Sequence, residues 1–448
     1  MKVPAPLPLT AHVVARPVDA HRSDVGSLFA HLFDDAGAAF WLDAGTDPRE
    51  GWSIIGTGPV EDDPETVRRV DLSGAAEASG IPFLGGWVGW LPYEHGAAAN
   101  GAPIADSPAA PTWIAVTRAV ALDHTTGTVH ALAPETDLEA WSAEVHDALA
   151  AMPIEPPPPA APTRDAAARH GVAEYSALVE ECRAAIRRGD AYQLCLTTRF
   201  TAARPDDPFA VYLRLRAATP AHHGGYLRVG GQHVLSASPE QFLTTGAGRV
   251  STSPIKGTRP RGVTPADDVR LAEELQTDAK ERAENVMIVD LMRNDLSHVG
   301  VPGSVQVERL WHVETYPAVH QLVSTVSARL RDGVTFGDLC DAAFPAGSMT
   351  GAPKLSAMTI LHRLEKGPRG IYSGCFGHVG LDGRVDLAMV IRTIVIDADS
   401  ASVGAGGGIT WLSRPDAEAA EVATKARAPL AALGAALPQP WRDLLPVS

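Results

Sequence analysis

Cysteine is scarce: Cys182, Cys195, Cys340 and Cys375 are the four in 448 residues. They stand far apart and form no CxxC or Cys/His pattern, which excludes a zinc ribbon or a dense disulfide framework. Free buried thiols in a reducing compartment are the reading that fits. Long apolar runs are missing as well. None approaches the roughly 20 residues needed to span a bilayer, and the opening MKVPAPLPLTAHVVARPVDAHRSD has no basic stretch followed by an apolar core. The sequence therefore predicts a cytoplasmic protein with no membrane partner. Positive charge is also in deficit, with 38 Lys and Arg against 53 Asp and Glu and a formal charge of −15. A sequence-independent nucleic-acid binder needs the opposite sign, so no nucleic-acid partner is expected. A small anionic substrate remains open, because local cations or a metal reverse the field inside one cleft.

Proline is not scarce, and it punctuates the chain. PIEPPPPAAPTR cannot continue a helix or a central strand. It marks residues 153–170 as a linker between an N-terminal region, 1–152, and a catalytic region, 171–433, with a tail at 434–448. Before it, AAFWLDAG, WSIIGTG, FLGGWVGWL and TWIAVTRAVALDH read as strands of an antiparallel sheet. After it, AEYSALVEECRAAIRRG places Tyr175, Leu178, Val179, Cys182 and Ile186 on one helical face. AYQLCLTTRFTA reads as a strand, KERAENVMIVDLMRNDL and KLSAMTILHRLE as helices, and GRVDLAMVIRTIVI as a strand pair feeding a buried strand. The last helix has Ser413 as its N-cap and Pro415 in its first turn. This irregular order predicts an α+β fold.

Several motifs carry chemistry. Glu281 and Glu284 are spaced i,i+3 on one helix, and Glu418 and Glu421 repeat that spacing on the last. Two such pairs can hold a hard divalent cation with water completing the shell, as Mg²⁺ prefers. Taken alone, either pair reads first as solvated surface carboxylate, with Lys280 and Lys425 as i,i+4 ion partners. GAGGGI, residues 404–409, reads as a tight turn or as a backbone cradle for an anion, and it is no dinucleotide fingerprint. GSMTGAPK has the wrong spacing for a phosphate-binding P-loop and reads equally as a turn before a helix. In SPIKGTRPRG, Lys256 sits amid Pro and Gly. Rigid turns are one reading; a buried amine acting as nucleophile or base is the other.

SASPEQFL, SPIKGTRPRG, AENVMIVDLMRNDL, FPAGSMTGAPK, RGIYSGCFGHVG, DLAMVIRTIVI and GAGGGI, in that order, resemble the chorismate-binding enzyme family. Its members include the large subunits of anthranilate and aminodeoxychorismate synthases, and isochorismate and salicylate synthases. The resemblance covers about residues 174–433, and GWSIIGTGP and FLGGWVGWLPYE extend it to the N-terminal region of the first two. It implies a large mixed β-sandwich core with helices outside. Members that add water use a lysine on the early strand as base; Gln193 stands there, and a neutral amide cannot act so. After PI in the PI-x-GT motif, anthranilate synthases typically carry alanine and aminodeoxychorismate synthases lysine; Lys256 follows the second pattern.

The resemblance then implies a reaction. Mg²⁺ bound by Glu284 and Glu421, with Glu281 and Glu418 nearby, anchors the ring carboxylate of chorismate. Lys256 attacks C2, Glu240 protonates the departing C4 hydroxyl, and ammonia adds at C4 as Lys256 leaves, giving 4-amino-4-deoxychorismate on the way to p-aminobenzoate and folate. Gln193, Thr258, His320, Tyr372, Arg392, Lys425 and Gly406, Gly407 and Gly408 are implied as substrate binders. A separate glutamine amidotransferase subunit is implied as the ammonia source. Departures are Cys195 where the family commonly has Asn, Ala419 where it commonly has Tyr, and FWLDAG, with Asp43, where tryptophan-inhibited members have an LLES-like segment. Tryptophan inhibition is therefore not expected, although the resemblance leaves room for a bound structural tryptophan near Ser53. The alternatives are anthranilate formation and a non-catalytic chorismate- or tryptophan-binding regulator.

Overall fold

The apolar runs bounded by glycine and proline become strands, and they divide between two sheets. The protein is described here from a computed structural model, which covers residues 13–18, 24–46, 48, 50–74, 80–151, 164–219, 221–316 and 319–445. The first sheet runs, in spatial order, through 14–18, 129–133, 118–123, 52–57, 38–43, 223–229, 232–238, 393–396, 400–409, 193–203 and 351–352. The second runs through 255–260, 319–329, 249–252, 241–246, 385–389, 375–380, 86–91 and 112–115, with 306–315 also paired to 319–329. Neighbouring strands in both sheets are antiparallel. Each sheet draws strands from before residue 134 and from after residue 192. Residues 153–163 of the expected linker lie outside the described residues.

Side chains alternate between the two faces of a strand, and in the central strands both faces are buried. Phe40, Ile54, Leu227 and Val234 of the first sheet meet Val88, Trp90, Ile114 and Phe376 of the second. Their chain neighbours Trp41, Ile55, Tyr226 and Leu235 point the other way, under the helices Val25–Phe33, Leu138–Ala151, Val172–Arg188 and Pro415–Ala432. Leu243, Val250, Val326 and Leu387 of the second sheet are covered by Ala279–Ser297 and Phe336–Ala343. The result is a sandwich of two sheets between two helical layers, in agreement with the expected α+β class.

Two local expectations change. GRVDLAMVIRTIVI does form strands, Val385–Met389 and Thr393–Ile396, but they belong to different sheets. Apolar residues throughout the stretch suit burial on both faces, so its pattern does not mark where the chain crosses. GAGGGI is no turn: it is the end of the strand Ser400–Ile409, paired along its length with Gln193–Ala203. The last helix starts one residue later than Ser413 requires for a cap. Arg414 occupies the N-cap position with no side-chain cap bond, Pro415 opens the first turn, and Ser413 Oγ accepts the Thr410 N–H instead.

Candidate active site

The chain passes between the sheets at Pro239–Glu240 and again at residues 390–392, and the two crossings are tied together. Met389 N–H donates to Glu240 C=O at 3.0 Å, and Ala237 N–H donates to Arg392 C=O at 3.3 Å. Both crossings line one cavity of about 690 Å³. Glu240 is 8% exposed. Burial pushes its carboxyl above the ordinary range, against the opposing pull of Lys256, a hydrogen bond with Ser348, and Lys425. Arg392 has φ +52, a backbone conformation unfavourable for a side-chain-bearing residue. Among the described residues its guanidinium forms no ion pair, and burial lowers its pKa despite Glu421 and Tyr372 nearby.

Lys256 reaches the same cavity because its strand is bulged. Ile255 pairs with Val323 and Thr258 with Gln321, so Lys256 and Gly257 occupy one partner's space. Gly257 takes φ +81, and a Cβ there would lie 2.8 Å from Leu275 Cδ1. The bulge thereby re-aims Lys256 out of the ladder. Its amino group lies close enough to act electrostatically on Glu240, Glu284, Glu421 and Cys195.

The glycines of the strand Ser400–Ile409 each admit a close neighbour. A Cβ on Gly404 would lie 2.1 Å from Tyr372 Cγ, and one on Gly406 would lie 2.4 Å from Leu196 O. Opposite them, Cys195 N–H donates to Thr350 C=O and Thr197 N–H to Glu365. Those two amides thus turn away from the glycine strand. Their cross-strand partners Gly408 and Gly406 therefore stand in non-hydrogen-bonded pairs, with their main-chain groups on the edge away from the partner strand. Lys425 Nζ donates to Gly406 C=O at 2.8 Å and pairs with Glu421 at 2.5 Å.

The four glutamates share one wall of the cavity, drawn from the helices Ala279–Ser297 and Pro415–Ala432. Burial pushes the Glu284 carboxyl up against the pull of Lys256 and Lys280, and among the described residues its buried Oε1 finds no hydrogen bond. Burial likewise raises Glu418, opposed by a hydrogen bond with Ser413. Lys425 holds Glu421 down. Glu281 lies 3.6 Å from Arg259. An orphaned, desolvated carboxylate oxygen among three more carboxylates fits a hard divalent cation. Among the described residues, no trio of His, Cys, Asp or Glu is gathered into a ready cage.

Residues 32–431 match the chorismate binding enzyme family. The chain belongs to this family. It is 41% identical to an aminodeoxychorismate synthase of Streptomyces pristinaespiralis, over 92% of this chain and 64% of the relative. With one from Streptomyces griseus the identity is 43%, over 84% and 54% respectively. The chain thus spans less than two thirds of either relative. It is 39% identical to anthranilate synthase component 1 of Streptomyces coelicolor, over 84% of this chain and 78% of that one. Among solved structures, anthranilate synthase component I from Streptococcus pneumoniae superposes with a TM-score of 0.71 at 27% identity, covering 91% of this chain and all of that one. The menaquinone-specific isochorismate synthase of Escherichia coli shares the fold, with a TM-score of 0.70 at 17% identity and 94% of each chain covered.

Lys256, Glu240, Thr258, Tyr372, Arg392, Gly406, Gly407, Gly408, Lys425 and all four glutamates line the cavity of this family member. Gln193 and His320 do not. His320 is 2% exposed and faces the other way, its ring 2.9 Å from both Asp268 and Thr315. Its neighbour Gln321 faces the cavity instead, because successive strand residues alternate, and among the described residues its buried Oε1 has no partner. Gln193 lies behind Gly408, where a Cβ would stand 2.5 Å from its Nε2; among the described residues both of its buried amide heteroatoms lack partners. Ser348 and Cys195 also line the cavity and were not assigned from sequence. Ser348 belongs to GSMTGAPK, whose spacing gives its hydroxyl no role, and Cys195 stands where the family commonly has Asn. Away from this site, Ser53 Oγ lies 2.8 Å from His124 Nε2, beside an Asp43 ion-paired to Arg216.

Proposed function

We propose that the chain is an enzyme that aminates chorismate at C4 with ammonia, giving 4-amino-4-deoxychorismate, the precursor of p-aminobenzoate and folate. The observation that carries the proposal is the bulged Lys256, re-aimed into a cavity that also holds a desolvated Glu240. The family and the aminodeoxychorismate synthase relatives support the substrate and the product.

Lys256, as the neutral amine, adds to C2 of the ring. The double bonds shift and the C4–O bond breaks. Glu240 gives its proton to the departing hydroxyl, which leaves as water. A carboxyl acting as acid near neutral pH must have a raised pKa, and burial supplies that direction. Ammonia then adds at C4, the double bonds return, and the C2–N bond to Lys256 breaks. The surplus proton passes to the Glu240 carboxylate, and the enolpyruvyl group stays. Arg392 and the amides of Gly406 and Gly408 grip substrate carboxylate, Thr258 and Tyr372 flank the ring, and Gln193 stiffens the glycine edge. Glu284 and Glu421 would hold Mg²⁺, with Glu281 and Glu418 beside them. When bound, it supplies positive charge that anchors and polarises the ring carboxylate. Ammonia comes from a glutamine amidotransferase partner.

A second reading, formation of anthranilate, is favoured by relatives such as the Streptomyces coelicolor protein. Lys256 weighs against it through the family pattern at that position. The covalent role is tested with purified protein, chorismate, MgCl₂ and ammonium. Lys256→Ala is expected to slow chorismate consumption by about a hundredfold or more, the scale on which a catalytic group acts. Unchanged consumption would remove Lys256 from the reaction.

A further inference from the structure

Each carboxylate of the glutamate wall already has an internal partner. Glu421 is held by Lys425 at 2.5 Å, and that lysine is also fixed by Gly406 C=O. Glu281 faces Arg259 at 3.6 Å, and that arginine is anchored by Asp278 at 3.0 Å and Glu274 at 3.4 Å. Glu418 bonds with Ser413. Glu284 feels Lys256 and Lys280, but among the described residues its one ion pair is with Lys280, at 3.6 Å, too long for a hydrogen bond.

Lys280 differs from the other two cations. Its side chain is 51% exposed, and among the described residues its Nζ enters no second ion pair. All four glutamates act on it at once. It stands in the first turn of its helix, whose N-cap is Asp278, so its backbone is fixed while its four-carbon stem can swing. A divalent cation entering this wall meets an ammonium already placed among the carboxylates.

We propose that Lys280 is the exchangeable counter-cation of this cluster, and that a divalent cation binds by displacing its ammonium from Glu284. The inference rests on the reading of the glutamate wall as a metal site. Lys280 sets the threshold of cation affinity: only an ion whose charge and oxygen coordination outcompete a tethered ammonium enters.

The test is a binding titration with MnCl₂ followed by electron paramagnetic resonance of the free ion, with MgCl₂ as competitor and no substrate present. Lys280→Met is expected to bind Mn²⁺ about tenfold more tightly than the wild type, from removal of one charge about 4 Å from the site. Lys280→Arg keeps the charge and is expected to bind no more tightly than wild type. Equal or weaker binding by Lys280→Met overturns the proposal while leaving the metal site standing. Absence of Mn²⁺ binding in all three proteins overturns both.

Discussion

At the residue scale, function concentrates where ordinary side-chain or backbone preferences are broken. Glu240 is a buried acid, and a general acid works in its protonated form. Its raised pKa carries that form to higher pH, so kcat is expected to fall as pH rises through it. Glu240→Gln should lower kcat about a hundredfold and abolish that limb of the profile; a surviving limb would assign the proton to another group. Arg392 holds φ +52 and, among the described residues, has no ion pair. Arg392→Gly is expected to raise KM for chorismate without lowering the melting temperature, since glycine adopts this backbone freely. A lowered melting temperature with unchanged KM would make Arg392 structural. His222 stacks on Tyr316, and burial lowers its pKa to about 4. Between about pH 6.5 and about 4 the unfolded chain binds the extra proton, so this group removes stability as pH falls. His222→Phe keeps a stacking ring and should flatten the stability–pH curve there; a curve parallel to wild type would contradict this.

At the element scale, the site depends on two backbone devices, the bulge at Lys256–Gly257 and the glycine strand. Gly404→Ala places a Cβ on the Tyr372 ring, and overpacking of this kind costs about 1–3 kcal/mol. Thermal unfolding should show that loss, and an unaffected melting temperature would mean the ring moves freely. Helices were legible in the sequence: AEYSALVEECRAAIRRG gave the face that Tyr175, Leu178, Val179 and Cys182 bury in Val172–Arg188. The glycine strand was not legible. Its extended form comes from Tyr372 and the strand Gln193–Ala203 packing against it, and glycine itself carries no strand signal. His320 and Gln321 show the same limit. Adjacent polar residues on a strand face opposite ways, and only the register reveals which one sees the cavity.

At the scale of the whole molecule, the sandwich explains how sites far apart in the chain meet. Glu240 and Arg392 sit where the chain changes sheets, Lys256 lies on a bulge at the edge of the second sheet, and the glutamates come from the helical layers on opposite sides. The ordered motifs disclosed the family and most of the cavity lining. The pairing of strands across residues 153–170 was hidden, because sheet order depends on long-range contacts that no local pattern encodes. The net charge of −15 places an anionic substrate in an unfavourable average field, which the cavity's own cations must overcome locally. The most direct measurement of the central claim is the product that purified protein makes from chorismate, MgCl₂ and ammonium at mildly alkaline pH, identified by mass and fluorescence. The expected product is 4-amino-4-deoxychorismate, converted to p-aminobenzoate only when the matching lyase is added. Direct appearance of anthranilate would contradict it, and would mean that Lys256 does not decide the fate of the enolpyruvyl group.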